Sequence, residues 1–350
     1  MNNILFVTRT MDLGGTEKVI LQLCKSFKSF FDNIYVCSSG GSNLEILNDY
    51  GITHFTIPDF SNTSLFGLLK IKRTIKKIVK NYNISIIHTH HRMAAFLCRN
   101  IKKVSLLNNV HNTFFDKYFL TRKSLMNYMN IAVGKTVYDN LTNYYRIPSN
   151  KVLLIENSVP LDDLVEADEK TGIFSHNNGS EHKKIVFIGR LEQQKGIDLL
   201  MKAIPKVKSN VYFYIYGEGS MKELVVDSPC EKVVYKGYTN NPLQVIRNFD
   251  YTILPSRWEG LPLIIIESMA VGVPTICSDI SSNKEIVSNE ENGFLFECDN
   301  LESLISTIDY ACAYKELEKL KNNCKKTYND RFSYELFVQK YKEVYSLYKK

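Results

Sequence analysis

A chain that alternates short, unbroken apolar runs with longer amphipathic ones has few folds open to it. Here NILFVT (3–8) leads to TEKVILQLCKSF (16–27) at helical period, then NIYVCS (33–38). An amphipathic stretch over 65–81, ISIIH (84–88), AAFLCRN (94–100) and VSLLNN (104–109) continue the pattern. An apolar run without polar alternation is a strand covered on both faces, and the intervening helices supply the cover. The first half therefore reads as a parallel sheet with helices on both sides. A polar, turn-rich tract, Glu166–Lys184, then reads as a linker or long loop. The alternation restarts with IVFIG (185–189), VYFYIYG (211–217), KVVYKG (232–237), YTILP (251–255) and VPTICS (273–278). The tail FSYELFVQKYKEVYSLYK (332–349) reads as a closing amphipathic helix. A length of 350 residues is too great for one ordinary core and agrees with two such halves. Ligands of doubly wound sheets bind outside the carboxyl ends of the strands, so residues just after strands carry the functional information.

Composition serves mainly to exclude. Hydrophobic content of 44% and charged content of 23% are those of a soluble globular protein. No apolar run approaches the roughly 20 residues that span a bilayer, and MNNILFVTRT lacks the features of a secretory signal. A cytoplasmic protein is the expectation. The eight cysteines include no C-x-x-C pair and no Cys/His cluster at zinc spacing, so reduced, mostly buried thiols are expected and a structural zinc is not. The net charge of +7 is unevenly placed: residues 1–160 carry 20 Lys and Arg against 9 Asp and Glu, and the remainder 24 against 28. Such asymmetry points one half at an anionic surface. The stretch 65–82 sets Leu65, Leu68, Leu69, Ile71, Ile75, Ile78, Val79 and Tyr82 on one side. Lys70, Lys72, Arg73, Lys76, Lys77 and Lys80 cover the rest. It reads either as an ordinary helix with a wet basic face or as a face for an anionic membrane. Nucleic acid is not expected as a partner. No binding motif is present, and the basic charge reads as not interleaved with exposed aromatics.

Six strand ends hold candidate site residues. LGGTE (13–17) follows the first strand; Gly14 and Gly15 either admit a ligand to the backbone or make a tight turn capped by Thr16. The spacing is not G-x-G-x-x-G, which argues against a dehydrogenase. GRLEQQKG (189–196) sets Gly189, Arg190 and Lys195 before a helix beginning near Gly196, a combination suited to a diphosphate. YGEGS (216–220) offers Gly217 and Gly219 for a nucleotide, or a simple turn. SRWEGLPLIIIESMAVGVP (256–274) places two glutamates eight positions apart in an apolar stretch. Pro262 suits the first helical position, so Glu259 lies at the helix mouth and Glu267 just over a turn inside. Amides near Gly260, Leu261 and Leu263 can meet phosphate or sugar oxygens while the glutamates accept from hydroxyls. His88, His90, His91 and His111 also stand at strand ends. No carboxylate accompanies them at ligand spacing, so acceptor contact is preferred to metal for His90 and His91.

These motifs, with VHN (110–112), IENSV (155–159) and ENGFLF (291–296), resemble the retaining glycosyltransferases of family 4 over nearly the whole chain. The resemblance implies the GT-B architecture: α/β, two Rossmann-like doubly wound domains facing a cleft, with a C-terminal helix crossing back to the N-terminal domain. It implies an acceptor-binding domain over 1–163, a nucleotide-sugar domain over 164–331 and the returning helix over 332–350. Arg190 and Lys195 would neutralise the donor diphosphate, Glu267 would hold the ribose, and Glu259 with the amides after it would hold the sugar. Gly14 and Gly15 would border the phosphates, and His111 would sit beside the reacting carbon. Catalysis would fall to His111, Glu259, Arg190 and Lys195. The family needs no metal and no cofactor beyond the nucleotide-sugar co-substrate, with UDP the common base. The expected reaction moves a hexose or N-acetylhexosamine to a hydroxyl of a surface-polysaccharide or polyprenyl-diphosphate-linked glycan, with retention. The protein would be cytoplasmic and peripheral on the membrane. A GT-B sugar-nucleotide epimerase and a non-catalytic sugar-nucleotide-binding subunit are the alternatives. The sequence departs from the family where Asn157-Ser158-Val159-Pro160 replaces Asn-Gly-Val-Asp and where Val133-Gly134 replaces Val-Ser.

Overall fold

The computed structural model describes residues 2–61, 63–161, 164 and 182–348. The chain divides into two compact units, Met1–Asn157 with Glu335–Lys350, and Ser158–Tyr334. Residues 166–181 of the expected linker, and residue 163 at the expected domain boundary, lie outside the described residues. Lys183 and Lys184, assigned to that linker from sequence, instead open a strand.

Unit 1 holds seven parallel strands: β1 (Asn3–Val7), β2 (Asn33–Ser38), β3 (Thr53–Thr56), β4 (Ile84–Thr89), β5 (Ser105–Val110), β6 (Met129–Ala132) and β7 (Val152–Leu154). Their order is β3-β2-β1-β4-β5-β6-β7. The chain winds outward from β1 to β3 and returns to β4 on the other flank of β1, so β1 and β4 form a topological switch point. Val7 pairs with both Cys37 and Thr89, which brings the carboxyl ends of these strands level. Ile4, Leu5, Phe6 and Val7 are completely buried, as an unbroken apolar run requires. Tyr341 and Tyr345 of the terminal helix Tyr334–Ser346 are completely buried as well. The Tyr345 ring meets Phe27 edge-on at 4.9 Å and Phe31 at 5.2 Å, so the tail belongs to the core of this unit.

Unit 2 holds β8 (Lys183–Ile188), β9 (Val211–Tyr216), β10 (Val233–Gly237), β11 (Tyr251–Leu254), β12 (Thr275–Ser278) and β13 (Gly293–Phe296). The order β10-β9-β8-β11-β12-β13 repeats the first sheet's winding, and its switch point lies between β8 and β11. Ile185, Phe187, Leu200, Phe213 and Ile253 lie at the centre of its core.

Local expectations are corrected in three places. Pro262 caps its helix, which starts at Leu263, one position later than read from sequence. Gly14, in extended conformation, caps the helix Gly15–Ser26, and Thr16 lies within that helix. The helix Leu65–Asn81 buries Ile71, Ile75, Ile78 and Val79, but Leu65 and Leu69 of the expected apolar side are 79% and 50% exposed. A 17-residue helix is about 25 Å long, whereas strands of four to six residues span roughly 13–20 Å, so its first turn overhangs the sheet. The four strands missing from the sequence reading (β3, β6, β7, β13) have three or four residues each.

Candidate active site

In unit 2 the loops after β8 and β11 interlock at the switch point. Gly196 makes this possible. It adopts φ +68°, and a Cβ there would lie 1.9 Å from the carbonyl oxygen of Pro255. Only glycine fits, so Lys195 is drawn against the end of β11. The Lys195 Nζ meets Glu259 Oε1 at 2.5 Å, with side chains 17% and 9% exposed. Ser256 Oγ donates to the same carboxylate oxygen at 2.7 Å. Arg190 lies on the same loop as Lys195, half-exposed, donating to Glu192 Oε2 at 2.8 Å and Gln194 Oε1 at 2.7 Å. Gln194 in turn donates to the Trp258 carbonyl, and Arg257 N donates back to the Gln194 carbonyl. Arg257 clamps both loops: its guanidinium takes Asp198 in a fork at 2.8 and 2.9 Å and also reaches Asp299. These bonds raise its pKa and hold the Asp198 carboxyl below the usual range. Glu267 lies buried within the helix Leu263–Ala270 that starts beside this cluster, with Gly260 and Leu261 buried at its mouth. The ensemble offers a cation pair, two carboxylates and a helix start, a set able to meet phosphate on one side and hydroxyls on the other.

In unit 1 the ends of β4 and β5 carry a histidine cluster. His90 Nδ1 lies 2.9 Å from His111 Nε2. Beneath them His88 Nε2 meets Asn109 Oδ1 at 3.0 Å and His88 Nδ1 meets Tyr345 OH at 2.9 Å. An amide oxygen only accepts, so His88 carries its proton on Nε2 and accepts a hydrogen bond from the Tyr345 hydroxyl at Nδ1. Asn109 Nδ2 donates onward to Tyr341 OH at 2.6 Å. Burial lowers every imidazole here: His88 to about 4, His91 to about 4, with Arg92 and Arg9 adding to the shift, and His111 to about 3, where His88 and His91 add to it. His90 falls well below its ordinary value by burial and the nearby His88 and His111. The cluster is therefore neutral at physiological pH. His90 Nε2 is buried with no hydrogen-bond partner among the described residues. His91 Nδ1 accepts from Met93 N at 3.1 Å and so caps the helix Arg92–Cys98.

Comparison with known proteins identifies the chain. The model "Glycosyl transferases group 1" matches residues 168–328, and "Glycosyltransferase Family 4" matches residues 13–163. The chain belongs to glycosyltransferase family 4. A relative from Escherichia coli, a UDP-Gal:alpha-D-GlcNAc-diphosphoundecaprenol alpha-1,3-galactosyltransferase, is 26% identical over 365 residues, covering 95% of this chain and 94% of its own. The crystal structure of a glycosyltransferase from Rickettsia africae matches with TM-score 0.82 at 22% identity, over 99% of this chain and 98% of its own. That of Anabaena HepE in complex with UDP matches with TM-score 0.81 at 17% identity, over 99% and 100%. The fold is GT-B.

In this glycosyltransferase Lys195, Glu259, Arg190, Gly189, Gly260, Leu261, Leu263 and Glu267 all sit on the β8 and β11 loops or the helix that follows. His90 and His111 touch, and Gly14 and Gly15 open the first helix of the same unit. Gly217 has a reason within the protein: a Cβ there would lie 1.9 Å from the Gly189 carbonyl oxygen. The sequence reading missed Ser256, Gln194 and Arg257, and it missed the Asn109, Tyr341 and Tyr345 support of the histidines. Arg257 stood in the quoted SRWEG, but its partners Asp198 and Asp299 are 59 and 42 residues away. The exclusion of interleaved aromatic and basic residues also fails locally: Phe115 and Phe119 are exposed beside Lys117 and Lys123. Sequence alone could not say which rings were buried. Among the described residues no group of three or more His, Cys, Asp and Glu is placed to hold a metal ion.

Proposed function

We propose that this glycosyltransferase moves a hexose or N-acetylhexosamine from a UDP-sugar to a hydroxyl of a lipid-linked glycan, with retention and without a metal. The observation that carries the reading is the Lys195–Glu259 pair, with Arg190 on the same loop, at the β8–β11 switch point. The named activity of the Escherichia coli relative and the UDP bound by the Anabaena neighbour support the donor and acceptor classes. Arg190 and Lys195 stabilise the diphosphate as its bond to the anomeric carbon breaks. The acceptor hydroxyl attacks that carbon on the face the diphosphate leaves, and a phosphate oxygen takes the hydroxyl proton. Glu259 and the amides at Gly260, Leu261 and Leu263 hold the sugar, and Glu267 the ribose. Preorganised charge of this kind acts where negative charge develops, on the leaving group. In unit 1, His111 serves the sugar, Gly14 and Gly15 the phosphates, and His90 and His91 the acceptor hydroxyl. The unpartnered His90 Nε2 supports the last assignment. The protein works at the cytoplasmic membrane surface, with the basic face of Leu65–Asn81 toward anionic lipid; among the described residues no helix is long and apolar enough to cross.

A thermal-shift panel of UDP-, GDP- and ADP-sugars tests the donor, since stabilisation follows affinity by mass action. Proton NMR of the glycoside formed on a polyprenyl-diphosphate-linked GlcNAc acceptor tests retention, and EDTA tests metal independence. UDP-sugar converted to an isomer with no acceptor present would make the enzyme an epimerase. Binding without turnover on any acceptor would make it a subunit.

A further inference from the structure

We propose that the aromatic surface following β5 inserts into an anionic bilayer and seats unit 1 on it. The inference rests on the reading above only in taking the acceptor to be lipid-linked, and it names apolar anchors where that reading has a basic helix face.

Single exposed apolar side chains are ordinary; contiguous ones mark an interaction surface. Phe115 and Phe119 are 69% and 85% exposed, and they belong to one connected set. Ring centroids lie 5.3 Å apart for Phe115–Tyr144, 5.5 Å for Tyr144–Tyr118 and 5.3 Å for Tyr118–Phe119. The set is held rigidly from beneath. Tyr118 stacks on the buried Tyr145 at 5.5 Å, Tyr144 OH donates to the Phe115 carbonyl, and Arg92 grips Asp116 through a fork at 2.5 and 2.9 Å. An exposed surface held this firmly is built to meet something.

Charge selects the occupant. From residue 60 to residue 138 the chain carries 14 Lys and Arg and one carboxylate, Asp116, which Arg92 neutralises. This stretch supplies the helices Leu65–Asn81, Arg92–Cys98 and Tyr118–Leu125, which pack in series, the second touching both others. The first turn of Leu65–Asn81 repeats the chemistry, with Leu65 and Phe66 79% and 85% exposed ahead of its cations. Apolar tips beside lysines match the acyl boundary and the anionic headgroups of a bilayer. A second copy of so cationic a face is repelled. A nucleic acid would stack on the rings but gains nothing from exposed leucine. The surface begins four residues past His111, so seating it brings the acceptor side of unit 1 to the membrane where a lipid-linked glycan resides.

The test uses the full chain and vesicles of equal parts phosphatidylglycerol and phosphatidylcholine. The F119W emission, taken over that of the wild type with its single Trp258, shifts to the blue on vesicles and is quenched by brominated acyl chains. The F115S/F119S variant keeps its charge but loses about tenfold or more in vesicle partition. It retains the wild-type thermal stabilisation by UDP. An F119W indole that stays water-like on saturating vesicles overturns the proposal, and it does so even if the double variant misfolds. Wild-type dimers that F115S/F119S converts to monomers with vesicle partition unchanged overturn it in favour of a self-interface. Oligothymidylate binding lost in F115S/F119S, again with partition unchanged, overturns it in favour of nucleic acid. Failure of UDP to stabilise the wild type sinks the donor reading and leaves this one standing.

Discussion

At the scale of single residues the site is a set of charges held against one another in advance. Lys195 and Glu259 are largely buried and paired, so each holds the other in place. Lys195→Ala is expected to lower kcat by roughly 10²–10³, the usual cost of one preorganised charge-stabilising donor. Radiolabelled transfer to the lipid-linked acceptor measures it, and near-wild-type turnover would remove Lys195 from the chemistry. The double variant Arg190→Ala, Glu267→Ala is expected to keep its fold by circular dichroism and lose both UDP stabilisation and turnover. The histidines supply a pH signature. His111 titrates at about 3 in the folded chain, against about 6.5 unfolded. Below pH 6.5 the unfolded chain binds the extra proton, so the contribution of neutral His111 is complete above about 6.5 and declines as pH falls toward 3. At pH 5 the loss amounts to about 2 kcal/mol, or roughly 5 °C in Tm. Melting curves of the wild type and His111→Gln at pH 7.5 and 5 measure it. Equal slopes for both would show that His111 is not held neutral.

At the scale of elements the terminal helix supports the histidine cluster of unit 1. Tyr341 and Tyr345 reach the β4–β5 end through Asn109 and His88, and they fix the His88 tautomer. Tyr345→Phe removes the donor to a buried imidazole nitrogen and is expected to cost about 1–3 kcal/mol, read from urea unfolding. A cost near zero would mean that water replaces the hydroxyl. Elements of strong period were legible in the sequence. β2 and the helix Leu65–Asn81 fall where NIYVCS and the amphipathic stretch place them, because strand and helix period are local properties. β3, with sequence THFT, was not legible: an edge strand half open to solvent carries no apolar run.

At the scale of the whole molecule two sheets wound in one order, each with its switch point, put the candidate residues at the carboxyl ends of β1, β4 and β5 and of β8 and β11. The charge is segregated too, and the basic face of Leu65–Asn81 lies open to solvent. Reversing Lys72, Arg73, Lys76 and Lys77 to Glu is expected to weaken binding to anionic liposomes steeply at low salt and little at high salt, since exposed charges are screened. Unchanged sedimentation would remove the basic face from the membrane reading and leave the enzyme untouched.

The sequence by itself determined the two-sheet fold and which residues stand at the strand ends and helix starts, because hydrophobic period and helix-start chemistry are written within a few neighbouring residues. Only the tertiary structure decided that Lys195 pairs with Glu259, 64 residues away, and that His88 rests on Tyr345, 257 residues away. It also decided which rings stay in the light of solvent. Those outcomes depend on how sheets and helices of unequal length pack, and no local pattern carries that information.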